Sequence, residues 1–189
     1  MEKVMWLVLG GVAFVAALRA GTSPRARRVG RWAVGVLFIV FGAAVNAIYL
    51  AVGTDAYAEF ADASPFAFVR DTWASVVVPN ETFFITVLIV AEATAGALVL
   101  AGGRMTQLGL AALMAFHVGQ LAFGGVLWVW APLMLLTLGL LLRAERRAAT
   151  TGRAPVLPLG DAATRPTAPA ADAVRPPHIE RTDHVDRQP

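Results

Sequence analysis

The chain has 189 residues and a mass of 20.0 kDa; 57% of its residues are hydrophobic, only 15% are charged, and the mean hydropathy is +0.62. Soluble domains run nearer about 45–50% apolar and 25% charged, so one soluble core cannot absorb this excess, and disorder, a coiled coil and an ordinary soluble enzyme are excluded. The absence of cysteine excludes disulfides, thiolate metal sites and Cys-ligated iron–sulfur clusters, and the net charge of +3 comes from arginines that flank apolar runs, a topology signal rather than a nucleic-acid surface.

Five apolar runs follow in chain order. The first, Val4–Leu18, is short for a span of about 20 residues, and reads either as a retained helix or as a signal peptide. Its Glu2 cancels Lys3, and Leu18-Arg19-Ala20 lacks the small residue a cleavage site wants, which favours the retained helix. The second run is Trp32–Val52. The third, Phe83–Gly102, follows Pro79 and a candidate N-cap at Asn80. The fourth is Leu108–Phe123 and the fifth Val126–Leu142. Gly102-Gly103 and Gly124-Gly125 mark tight turns, so the last three helices should be antiparallel neighbours.

Charge sets an orientation. Five arginines and no acid lie between residues 19 and 31, five acids and one arginine lie in the 54–81 loop, and Arg104, Arg143, Arg146 and Arg147 follow runs three and five. With basic residues inside, five spans put the N-terminus and the 54–81 loop outside and the C-terminus in the cytoplasm. Trp128 and Trp130 then fall towards an outer interfacial belt. In the loop, Ser64-Pro65 reads as a helix start, and Phe66, Val69, Trp73 and Val76/Val77 recur at helical spacing. This predicts a short amphipathic helix, lying on the membrane surface or packed onto the mouth of the bundle. Residues 148–189 hold seven prolines and balanced charge, the composition of a disordered cytoplasmic tail. His178 and His184 lie in it and are read as solvated rather than metal-binding.

Ionisable groups at bilayer depth are costly and mark candidate sites. Glu92 lies twelve residues before Arg104 and His117 thirteen after it, which places them about 18 and 20 Å from the inner surface. Asn46 falls at about 21 Å and Gln120 one turn farther out. Gly35, Gly42, Asn46, Tyr49 and Gly53 form one helical stripe, and Gly109, Phe116, His117, Gln120 and Gly124 another, with Gly96 one turn from Glu92. Small residues beside polar ones let membrane helices approach and share hydrogen bonds. The expectation is one interior cluster of Asn46, Glu92, His117 and Gln120. Either it fixes helix register, with Glu92 and His117 paired or mutually satisfied, or it is a site that relays protons or holds a quinone headgroup. A lone intramembrane His offers no haem ligand pair, no P-loop, GxSxG or HExxH pattern occurs, and Glu92 has no evident nucleophile beside it for hydrolysis.

The stretch from Gly30 to Arg147 resembles the DoxX-like family of small four-helix membrane proteins. The resemblance is carried by Arg31-Trp-Ala-Val-Gly-Val-Leu-Phe-Ile-Val-Phe-Gly42, by the outer loop with its amphipathic segment, and by Ala91-Glu92-Ala-Thr-Ala-Gly96 running to Gly102-Gly103-Arg104. The extra N-terminal helix and the proline-rich tail depart from the family pattern. The resemblance implies a four-helix transmembrane bundle (30–147); with the first apolar run as an extra N-terminal transmembrane helix (1–20) and the disordered tail, the chain is expected to be an all-α membrane protein. It also implies an accessory role in membrane redox or envelope homeostasis, with a soluble or membrane redox partner. A quinone-reactive subunit, with quinone as its cofactor, and a small proton-coupled transporter acting as an oligomer are the alternatives. The alanine- and arginine-rich composition points to a bacterial plasma membrane.

Overall fold

The computed structural model describes residues 2–53 and 55–151, which are helical with no strand among them. The proline-rich tail, with His178 and His184, lies outside the described residues. Helix α1 is Glu2–Arg19. Helix α2 runs over Pro24–Val52, interrupted by wide π-helical turns at Leu37–Ala44. A 3₁₀ turn at Asp55–Tyr57 leads to α3, Ala67–Thr72, which continues through π turns at Trp73–Val77 and a 3₁₀ turn at Val78–Asn80. Then come α4 (Glu81–Ala101), α5 (Gly103–Gln120) and α6 (Leu127–Thr151). Three stretches, Pro24–Val52, Ala67–Ala101 and Leu127–Thr151, are long and apolar enough to cross a membrane, which marks the chain as a membrane protein.

Several boundaries differ from those expected. Helix α2 begins eight residues before Trp32, because Ser23 accepts a hydrogen bond from the Ala26 amide and Pro24 takes the first helical position. The basic 19–31 stretch is therefore mostly helix rather than linker. Helix α6 continues nine residues past Leu142 to Thr151, so the chain is still helical where the tail was expected to start. In the loop, Ser64 accepts from the Phe66 amide at 3.2 Å, but α3 starts at Ala67 with Phe66 at the N-cap position. Asn80 does precede α4, yet its amide turns back to donate to the Val76 carbonyl instead of capping α4.

Small residues set the packing. A Cβ on Gly96 would lie 2.8 Å from Ile39 and 3.1 Å from the Gly35 carbonyl, and one on Gly109 would lie 2.7 and 2.8 Å from the backbone of Val99 and Ala95. These glycines hold α4 against α2 and α5 against α4 at backbone contact. Ala13 and Ala17 of α1, and Ala20 just after it, enter the core that Val34, Leu37, Leu110, Met134 and Leu138 fill. Trp6 stacks on Trp130 at 4.4 Å and donates to the Phe41 carbonyl. Trp130 is thus buried against α1, whereas Trp128 is 54% exposed. The turns fall at the paired glycines, all four with positive φ. At the first of them Thr106, fully buried, donates to the Val99 carbonyl at 2.9 Å and accepts from the Gly102 amide at 3.0 Å. It satisfies groups that the end of α4 leaves open.

Candidate functional site

Glu92 stands midway along α4, 7% exposed. Its Oε2 accepts from Asn46 Nδ2 of α2 at 2.9 Å, and Asn46 Oδ1 accepts from the Tyr57 hydroxyl at 2.7 Å. The Tyr57 carbonyl accepts from Trp73 Nε1 at 2.8 Å. A polar thread therefore runs from the interior of α4, across α2, to the 54–81 loop. Gly42 makes room for it: a Cβ there would sit 2.9 Å from Glu92 Cδ and 3.0 Å from each carboxylate oxygen. The π turns end at Ala44, two residues before Asn46. Such widened turns are often found at functional positions.

The structure does not gather the four expected residues into one cluster. Asn46 and Glu92 meet, but Glu92 and His117 form no ion pair among the described residues. His117 is fully buried, with Nδ1 2.7 Å from the Leu113 carbonyl of its own helix. A carbonyl only accepts, so Nδ1 carries the bridging proton. The ring stands edge-on to Phe38 at 5.6 Å and Phe116 at 5.5 Å, and Nε2 is buried without a partner. Helical phase explains the separation. Gly109 faces α4; His117, eight residues on, is rotated by about 80° from it, whereas Gln120, eleven residues on, returns to within about 20°. Equal depth did not mean equal direction.

Gln120 accordingly faces α4, where it lines a cavity of about 340 Å³ between α4, α5 and the 54–81 loop. Phe60, Trp73, Phe84, Leu88, Phe116 and Phe123 supply its walls, and Gln120 Oε1 is buried without a partner. Phe60, Trp73 and Phe123 pack on one another at 5.1–5.3 Å. The loop is pinned here by Ser64, whose hydroxyl donates to the Ala122 carbonyl at 2.6 Å, while Phe66 and Phe68 stay exposed. One face of the amphipathic segment thus meets the bundle and the other is free. Burial, and then the charge on Glu81, push the Tyr57 phenol up to about 12.

Three features escaped sequence reasoning. Tyr57 read as one polar residue in an acidic loop, though it was the loop's lone tyrosine. Thr106 was hidden in a turn assigned to glycine alone. Glu145, buried on α6, lies 3.5 Å from Arg27 Nε and 3.7 Å from an Arg31 nitrogen, and Arg31 also donates to the Leu100 carbonyl at 3.2 Å. The signal was an acid placed between Arg143 and Arg146, facing arginines four residues apart on α2. Among the described residues no group of three or more His, Asp or Glu converges to hold a metal. Comparison with protein-family models, curated proteins and solved structures finds no match.

Proposed function

We propose that the chain is a DoxX-like integral membrane protein, in which α2, α4, α5 and α6 form a four-helix transmembrane bundle and α1 an additional span. It acts as an accessory protein in membrane redox or envelope homeostasis, itself not an enzyme, in a bacterial plasma membrane with the N-terminus outside and the C-terminus in the cytoplasm. The arginines of residues 19–31, Arg104 and the end of α6 support that orientation. The observation that carries the functional reading is the buried Glu92 carboxyl, hydrogen-bonded through Asn46 to the outer loop. A carboxyl held at this depth by a neutral amide, itself bonded to Tyr57, rather than by a cation, is positioned for exchange with a partner at the outer face.

Glu92→Gln tests this, because a glutamine oxygen still accepts from Asn46 while the ionisable group is gone. The functional reading expects unchanged melting in detergent, together with loss of the redox or envelope phenotype that the wild-type chain restores to a deletion strain. Full complementation by the variant would reduce the site to a register device and defeat the proposal. A second reading, a quinone-reactive subunit, is supported by the aromatic cavity beside Gln120. It expects quinone in protein purified in mild detergent, lost on Gln120→Ala; quinone-free protein counts against it.

A further inference from the structure

Helices α1 and α2 fold back on each other through residues 20–23, and their outward faces leave a groove distinct from the Glu92 region. Two adjoining hollows of about 390 and 420 Å³ share Val12 and Val29 and so form one trough. Leu9, Val12, Val15, Val29, Trp32 and Val36 supply its apolar lining. From Ala26 to Val36 the trough follows about 15 Å of helix. Its lining is open, with Val29 48% and Trp32 56% exposed. Arg19 lines the hollow nearer the turn and Arg28 the other one, and both are exposed. Neither makes an ion pair among the described residues, where the recorded pairs run from Arg27 and Arg31 to Glu145 of α6.

An apolar channel flanked by two exposed arginines that make no ion pair matches a molecule with a hydrocarbon tail and an anionic head. Guanidinium presents a fork of donors suited to phosphate oxygens. A packed apolar helix would leave both cations without an anion, and a zwitterionic lipid carries its own cation beside the phosphate. We propose that the α1/α2 groove is a binding site for an anionic phospholipid, an acyl chain lying along Val12, Val29, Trp32 and Val36 and the phosphate at Arg19 and Arg28. The site stands independently of the reading of Glu92.

The test reconstitutes the full chain in nanodiscs of equal phosphatidylglycerol and phosphatidylcholine and measures lipid retained on release into detergent by native mass spectrometry. Each arginine near the headgroup favours the anionic lipid by roughly fivefold. Retention of phosphatidylglycerol should exceed that of phosphatidylcholine by at least this factor and fall to near parity in Arg19→Gln/Arg28→Gln. Arg143→Gln/Arg147→Gln, which removes exposed arginines outside the groove, should leave the preference intact. Trp32 reports the tail directly: its fluorescence, taken as the difference from Trp32→Phe, should be quenched more by brominated phosphatidylglycerol than by the brominated zwitterionic lipid. Val29→Phe, which fills the trough without changing charge, should reduce retention and quenching even if the arginine variant fails to fold. Equal retention of the two lipids, an equal loss of preference in both arginine pairs, or cross-linking of a second copy through Trp32 in place of lipid would each overturn the proposal.

Discussion

Gly42→Ala isolates the interaction between α2 and the Glu92 carboxyl. The new methyl would lie 2.9 Å from Cδ and 3.0 Å from both oxygens, so the carboxyl must move. It is the free end of a flexible side chain and can swing aside, which keeps the steric term small. What the swing loses is the 2.9 Å bond to Asn46, and with it a partner for a part-buried amide. Leaving such a donor unsatisfied costs about 1–3 kcal/mol. Replacing a helical glycine by alanine returns about 0.5–1 kcal/mol, so the net loss is about 0–2.5 kcal/mol. In a Glu92→Ala background no carboxyl remains to be displaced, and the same Gly42→Ala change should turn neutral or stabilising. Thermal unfolding in detergent of the wild type, both single variants and the double variant closes the cycle. Equal effects of Gly42→Ala in the two backgrounds would refute the argument.

The contrast is Gly109→Ala, whose Cβ would meet the Val99 nitrogen and Ala95 oxygen at 2.7 and 2.8 Å. Backbone cannot swing aside, so the loss should reach the upper end of the roughly 1–3 kcal/mol typical of overpacking, read as a fall in melting temperature. Thr106→Val keeps the shape but strands the Val99 carbonyl and Gly102 amide, and should cost about 2 kcal/mol, again by melting in detergent. Glu145→Gln leaves Arg27 and Arg31 without their anion; because both arginines are partly solvated, the loss should be about 1–2 kcal/mol and should shrink in high salt. Tyr57 gives a pH signature. Its folded value of about 12 lies above the ordinary tyrosine value of 10.0, so the unfolded chain releases the proton first as pH rises. The contribution is complete below pH 10, declines from 10 to 12, and should be missing from the alkaline melting profile of Tyr57→Phe.

Apolar runs and paired glycines made the helical class and the two tight turns legible, because apolar length and positive φ are local properties. The helix limits were less legible. The basic stretch before Trp32 carries no apolar signal, and its helicity depends on the Ser23 cap and on Arg27 and Arg31 reaching across to Glu145. Asn46 and Glu92 were found because a polar residue on a glycine stripe faces its neighbour almost by necessity. His117 was assigned to the same group on depth and on a broad stripe with Gly109 and Gln120, yet it is rotated by about 80° from Gly109 about the helix axis. Phe38 and the Leu113 carbonyl, which hold the ring, cannot be recognised by spacing from Glu92. Trp130 read as an aromatic near a helix end, and nothing in its spacing pointed to Trp6 and Gly10 of α1, which lie against it.

The separation of the acid from the imidazole changes what each can do. His117 is enclosed by aromatic rings and bonded within its own helix, so its influence is on the packing of α5 against α2. Glu92 is bonded to Asn46, which in turn accepts from Tyr57 of the 54–81 loop. Tyr57 in turn holds Trp73, which also forms a wall of the cavity beside Gln120. A displacement of the loop that opens the cavity at Trp73 would pull on the same tyrosine that fixes Asn46. The polar thread and the aromatic cavity are therefore mechanically coupled through Tyr57 and Trp73, although no side chain of the expected four joins them directly.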